Sequence, residues 1–146
     1  MQVIYDTGSD WLVLESSICR TCLKNTYDHE LSSNWMNVST GLKEHIYGSA
    51  QLYGFYARDQ VAFDSAGSMK VYSFKFFQIY RQYGLNEFID GILGMSRKQE
   101  SMSADYQTGP LYIEFLYISG MIRRRLFCFH ITDESEQSFV DVGMID

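Results

Sequence analysis

One proline, three cysteines and a shortage of basic residues set the first limits on this 146-residue chain. Twelve Lys and Arg face eighteen Asp and Glu, leaving a formal net charge of −6. Nucleic-acid binding rests on basic surface that neutralises phosphates, so the balance argues against a nucleic-acid partner. No apolar run approaches the ~18 residues of a spanning helix, which argues against a membrane role. The opening MQVIYDTGSDW lacks the basic and then apolar stretch of a signal peptide. What is abundant is core material: 46% of residues are hydrophobic and 16% aromatic, which argues against disorder. The length suits a single domain and is too short for two.

Three cysteines are an odd number. Cys19 and Cys22 form a C-x-x-C in CRTC, and Cys128 stands alone in LFCFHI. The pair reads as a short disulfide, half of a zinc site, or a redox pair. Zinc needs two more ligands, but His29, His45 and His130 are scattered and no second C-x-x-C exists, so no metal or cofactor is expected. A redox pair opens a helix after a strand, whereas CRTC lies in a polar stretch. That favours a local disulfide and an oxidising compartment. Cys128 alternates with Phe127 and Phe129, the pattern of a buried inert thiol.

The dominant sequence period is two. Gln2 to Asp6 and Trp11 to Glu15 are short β runs on either side of the turn-forming TGSD. His45 to Phe63 reads as a hairpin, Met69 to Tyr80 as a long strand, and Arg125 to Thr132 with Ser138 to Val142 as a further pair. Seven or so strands predict a mainly β unit. Pro110 to Ile118, closed by Gly120, predicts a short helix near 110–118 whose buried stripe is Leu111, Phe115 and Ile118. Lys98 to Gln107 and Arg123-Arg124-Arg125 read as solvated, and the aromatic run Phe74 to Tyr83 as a sheet face.

Asp6-Thr7-Gly8-Ser9 carries the chemistry. It joins two apolar strands, so a carboxylate sits in a tight turn where Gly8 allows an approach that no side chain would tolerate. Turns favour these residue types for backbone reasons alone, so the tetrapeptide is a weak signal by itself.

Taken with three other segments it is specific. VIYDTGSDWLVL resembles the catalytic loop of pepsin-like aspartic peptidases, HIYGSAQLYGFYARDQVAF their flap hairpin, and FIDGILGMS the glycine segment beneath the catalytic loop. SFVDVGMID resembles the point where their amino-terminal lobe hands over to the second. The resemblance spans nearly the whole chain. It implies one lobe of the pepsin-like double-psi β-barrel fold, with residues 1–146 forming a single, incomplete amino-terminal lobe. It implies that Asp6 is the first catalytic aspartate, held by Thr7 and Gly8 and hydrogen-bonded by Ser9. Tyr47, Gly48 and Ser49 match the flap tip, and Ile4, Ile89 and Ile92 the apolar positions beside the scissile bond, although a cross-strand tyrosine or plain core would explain these too. Cys19 and Cys22 match a small disulfide loop. Peptide or protein substrates and a secreted or lysosomal/vacuolar location follow from the same resemblance.

The chemistry needs two carboxylates sharing a proton, one to activate water and the other to protonate the carbonyl oxygen and the leaving nitrogen. This sequence has one D-T-G. Asp64-Ser65-Ala66-Gly67 carries an extra residue, and Asp90-Gly91 belongs to the glycine segment. The expectation is therefore an enzyme lobe inactive without a partner: a carboxy-terminal lobe, or a second copy in a homodimer. A noncatalytic peptide-binding remnant is the third reading. Two further departures stand out. The family's upstream strand is missing, which would leave β-edge groups unpaired, and its flap-bonding tryptophan is replaced by Val13, with Trp11 two residues earlier. Exposed apolar surface and poor solubility are expected if the second lobe is absent. Asn37-Val38-Ser39 is an N-glycosylation sequon.

Overall fold

A computed structural model of the chain describes residues 1–22, 26–48, 50–85, 88–97, 109–134 and 137–144. Nine strands and one short α-helix are found among them: β1 (Val3–Asp6), β2 (Leu12–Glu15), β3 (Met36–Asn37), β4 (Lys43–Tyr47), β5 (Ala50–Val61), β6 (Val71–Tyr83), β7 (Gly91–Gly94), α1 (Tyr112–Ile118), β8 (Phe127–His130) and β9 (Phe139–Val142). The mainly β expectation with one short helix is borne out.

Seven strands form one sheet in the order β1-β7-β2-β6-β5-β3, with β4 also paired to β5, while β8 and β9 form a separate two-stranded ribbon. β7 was not legible as a strand, yet it threads between the two strands that flank the Asp6 turn. It runs parallel to β1, with Ile4 opposite Ile92 and Asp6 opposite Gly94, and antiparallel to β2, with Val13 opposite Ile92. Its glycines make that insertion possible. A Cβ on Gly91 would lie 2.1 Å from the Val13 carbonyl oxygen, and one on Gly94 2.5 Å from the main chain of Asp10. The family-like GILG segment is thus a steric requirement of close backbone approach.

β2 is buried along its whole length because the two faces of the sheet carry separate apolar clusters. Leu12 and Leu14 pack on one side with Phe74, Phe76, Leu93, Tyr112 and Leu116. Trp11 and Val13 pack on the other with Leu52, Tyr56, Phe77, Ile79 and Ile92. Each such side chain contributes about 1.5–3 kcal/mol when fully withdrawn from water. β1 lies at one end of the sheet and pairs only with β7 among the described residues, which agrees with the expected open edge.

Several expectations are corrected. The helix buries Tyr112, Ile113 and Leu116, not the stripe Leu111–Phe115–Ile118, and Ile118 is 71% exposed. At seven residues it is too short to persist alone, so packing selects its face. The Tyr112 hydroxyl donates to the carbonyls of Met69 at 2.6 Å and Val61 at 3.0 Å. Arg125 is not merely solvated: its Nε lies 2.7 Å from Glu114 Oε2 and its guanidinium 4.0 Å over the Tyr117 ring, tying the helix to the approach to β8. Cys128 is half-buried rather than a core thiol, because the β8–β9 ribbon is not covered on both faces. The aromatic run in β6 supplies core, with Phe74, Phe76 and Phe77 at most 1% exposed. Tyr83 at its end is exposed, and other exposed apolar side chains include Leu31, Ile46 and Phe88, with Phe129, Ile131 and Phe139 on and beside the ribbon. Lys98 to Gln107, read above as a solvated loop, lies outside the described residues, as do Ile145 and Asp146.

Candidate active site

Asp6 ends β1, and the turn after it is stapled to the segment following β7. Met95 N–H donates to Asp6 O at 2.7 Å, Ser96 N–H to Ser9 O at 2.9 Å and Gly94 N–H to Trp11 O at 2.9 Å. Three main-chain bonds thus fix where the half-buried Asp6 side chain departs. Gly8 N–H donates to Asp6 Oδ1 at 2.9 Å. A Cβ on Gly8 would lie 3.3 Å from that oxygen, which is crowding and not the exclusion expected from the sequence. Thr7 and Gly8 are exposed. Ser9 is buried, and its Oγ has no hydrogen-bond partner among the described residues, so here the Gly8 amide takes the place the resemblance gave to the Ser9 hydroxyl.

Strand alternation decides which way the carboxylate faces. Ile4 and Asp6 share one face of β1, while Val3 and Tyr5 occupy the other. Val3 packs with the Leu12–Phe76 cluster, and the Tyr5 ring meets Phe63 and Phe129 at 6.2 and 6.3 Å. Across β7, Ile4 is in register with Ile92, which belongs to the opposite cluster together with Trp11 and Val13. Tyr47 and Ile89 pack against that same cluster. Asp6 therefore sits on the side of the sheet that carries the Tyr47 hairpin. Ile89 and Ile92 join Tyr47 there, while Ile4 flanks Ile92 with 44% exposure at the sheet edge.

β4 and β5 form the hairpin in register Tyr47 opposite Ala50, and Gly48 turns it with φ +56°, the left-handed region in which glycine carries no Cβ penalty. Ser49 lies outside the described residues. Cys19 and Cys22 are disulfide-bonded, with Cα atoms 5.5 Å apart, as expected. Within the loop they close, Thr21 Oγ1 donates to Gln82 O at 2.8 Å and accepts from Gln82 N–H at 2.8 Å, which holds the loop on β6.

Three features of the site were missed in the sequence. Trp11, 1% exposed, stacks on Tyr56 with ring centroids 4.7 Å apart and forms the floor under the hairpin. Asp10 accepts from Gly109 N–H at 2.7 Å through Oδ2, and burial raises its carboxyl above the usual range. Asp90, 3% exposed, accepts from Gln2 N–H at 2.6 Å and locks the start of β1 to β7. A tryptophan displaced by two residues and an aspartate directly after D-T-G-S were the available signals. Among the described residues no cluster of three or more His, Cys, Asp or Glu could hold a metal ion, and no helix is long and apolar enough to cross a membrane. An open cavity of about 690 Å³ lies on the other face, between Val3, Tyr5, Phe63 and Tyr112, away from the hairpin.

A carboxylate in a stapled turn, a glycine-bearing strand beside it and a hairpin carrying Tyr47 share one face of the sheet. The family model for eukaryotic aspartyl protease matches residues 1–146. The chain is 33% identical over 156 residues to probable vacuolar protease A of Arthroderma benhamiae, covering 99% of this chain and 36% of that protein. It is 32% identical over 151 residues to pepsin F of Oryctolagus cuniculus, covering 99% and 37%, and 29% identical over 154 residues to procardosin-A of Cynara cardunculus, covering 99% and 28%. The chain belongs to the eukaryotic aspartyl protease family and has the fold of an amino-terminal pepsin-like lobe. It spans little more than a third of the length of the first two relatives.

Proposed function

We propose that the chain is the amino-terminal half of an aspartic endopeptidase, a single lobe over residues 1–146 that supplies Asp6 to a two-carboxylate site completed by a carboxy-terminal lobe. The observation that carries this reading is the placement of Asp6 on the hairpin side of the sheet, fixed by strand alternation and by the Ile4–Ile92 register. In the assembled site an ionised carboxylate takes a proton from water as the water attacks the peptide carbonyl. The partner carboxylic acid protonates the carbonyl oxygen and later the departing nitrogen. Two carboxylates about 3 Å apart cannot both ionise, which is how one proton comes to be shared. Gly8 N–H orients the Asp6 carboxylate by donating a hydrogen bond to Oδ1.

An extended peptide would lie under the Tyr47–Ala50 hairpin with its main chain hydrogen-bonded, one side chain entering the apolar recess of Ile4, Ile89 and Ile92. Closure of the hairpin excludes water around the reacting atoms. Thr7 and Ser9 shape the turn, and Gly48 turns the hairpin. The disulfide supports passage through an oxidising compartment, and the sequon at Asn37 is consistent with a secreted or vacuolar destination.

The test joins this chain to a carboxy-terminal pepsin-like lobe carrying its own D-T-G or D-S-G, and follows cleavage of an extended peptide in acid. Cleavage that falls by roughly 10⁴-fold in the Asp6→Ala variant supports the proposal. Cleavage that survives Asp6→Ala refutes it, and peptide binding with no cleavage at any pH favours a noncatalytic remnant.

A further inference from the structure

The hairpin is seated by a side chain that the Asp6 chemistry does not use. His45 lies on β4 two residues before Tyr47, on the same face of the strand. Its ring is 5.3 Å from Trp11 at an interplanar angle of 80°, 4.4 Å from Phe77 and 6.3 Å from Tyr47. Its Nε2 is 2.9 Å from the Tyr56 hydroxyl, and Tyr56 is itself stacked on Trp11. A single imidazole thus bridges the first strand of the hairpin to the floor formed by β5, β6 and the end of the Asp6 turn.

We propose that His45 is the positioning residue of the hairpin, holding it against the Trp11–Tyr56 floor while neutral and releasing it when protonated. The inference rests on reading the hairpin as the substrate cover.

The surroundings favour the neutral ring. The charged groups of the packed elements include Lys75 on β6, Arg58 on β5 and Asp10 in the turn; Asp59 on β5 is bonded to Tyr27 and Ser32, and Arg81 on β6 lies over the Tyr53 ring. Lys75 Nζ sits 4.4 Å from the centroid of Tyr56 and 5.2 Å from that of Trp11. The Asp10 carboxylate makes its influence felt on Tyr56, and Arg58 on Lys75. Tyr47 and Tyr56 are the titratable hydroxyls beside the ring. Burial first, and Lys75 second, lower His45 from 6.5 to about 4.

The sign follows from proton linkage. Between about pH 6.5 and 4 a hydrated His45 on an opened hairpin binds a proton that the seated one does not. Closure is therefore fully favoured above about 6.5, weakens as the pH falls, and has lost this contribution below about 4. An enzyme working in acid would then operate with a hairpin that opens readily for substrate.

Hydrogen exchange on the full chain tests this. The amides of Ile46, Tyr47 and Leu52 are followed from neutral to acid pH, corrected for intrinsic exchange, alongside an NMR titration of the histidines. The His45 resonance, identified by its loss in His45→Gln, is expected to titrate near pH 4. Hairpin opening is expected to rise on the order of 100-fold across the window, while amides in β2 and β7 change far less. Gln keeps a nitrogen within reach of the Tyr56 hydroxyl but does not titrate, so His45→Gln should abolish the pH dependence and stay closed. Tyr56→Phe should loosen the hairpin already at neutral pH. Opening that is flat with pH in the unaltered chain, or unchanged pH dependence in His45→Gln, overturns the proposal. No readout here involves cleavage, so this inference and the peptidase reading fail separately.

Discussion

Trp11 and Tyr56 lie face to face, ring centroids 4.7 Å apart and planes within 13° of parallel. The pair connects the end of the Asp6 turn to the return strand of the hairpin. The resemblance leads to the expectation of a tryptophan at the position held by Val13. Val13 is too small to reach a hairpin tyrosine, and it is wholly buried between Ile92 and Phe77, its register partners on either side.

Trp11→Ala should therefore cost about 3–5 kcal/mol, the range for truncating a buried aromatic. The loss should appear in urea denaturation as a lower midpoint at unchanged slope. Trp11→Phe, which keeps a ring over Tyr56, should cost less.

Gly91→Ala tests the threading of β7. Its Cβ would meet the Val13 carbonyl oxygen at 2.1 Å and the carbonyl carbon at 3.1 Å, main-chain atoms that cannot rotate away. Destabilisation above about 3 kcal/mol is expected, against a much smaller effect for an alanine at the exposed Gly8. Thermal unfolding of the two variants side by side gives the comparison.

Asp10 sets a pH dependence opposite in sense to that of His45. Burial raises its carboxyl above 3.8, so the ionised form carries a penalty in the folded chain that is absent in the unfolded one. The penalty vanishes when the pH falls below 3.8 and is complete once the pH has risen past the raised value. Asp10→Asn retains an oxygen to accept from Gly109 N–H without the charge. It should raise the denaturation midpoint at about pH 7 and leave it unchanged at about pH 3.

Asn37 is exposed on the two-residue strand β3, its Oδ1 accepting from Ser39 N–H at 2.8 Å, while Ser39 Oγ accepts from Tyr56 N–H at 2.5 Å. Expression through a eukaryotic secretory pathway should yield a glycosylated chain whose mobility shift is removed by an amidase and absent in Asn37→Gln. A secreted, disulfide-bonded chain lacking the shift would remove the sequon from the account.

β4 and β5 were legible because one neighbour differs from the next along them, and β6 through its long aromatic run. β7 was not, since Gly91–Gly94 is buried on both faces and carries no alternation for a sequence to display. The helix was placed within two residues, but its face was misread. In an almost wholly apolar run, Tyr112–Leu116 and Leu111–Ile118 stripes compete, and only the contact with Val61 and Met69 decides. Asp6 and Tyr47 stood out in the sequence through their motifs, and the fold puts both on one side of the sheet. His45 and Trp11 did not stand out, because a histidine and a tryptophan in β runs announce nothing until the hairpin folds over and brings their rings together.

The central claim is that Asp6 is one half of a proton-sharing pair whose other half comes from a different lobe. The most direct measurement is acid peptide cleavage at fixed concentration of this chain while a separately produced carboxy-terminal pepsin-like lobe is added. The account predicts no cleavage by the chain alone, a rate that rises and saturates with the added lobe, and none with Asp6→Asn. Cleavage by the chain alone that grows with the square of its concentration, or cleavage undiminished in Asp6→Asn, would contradict it.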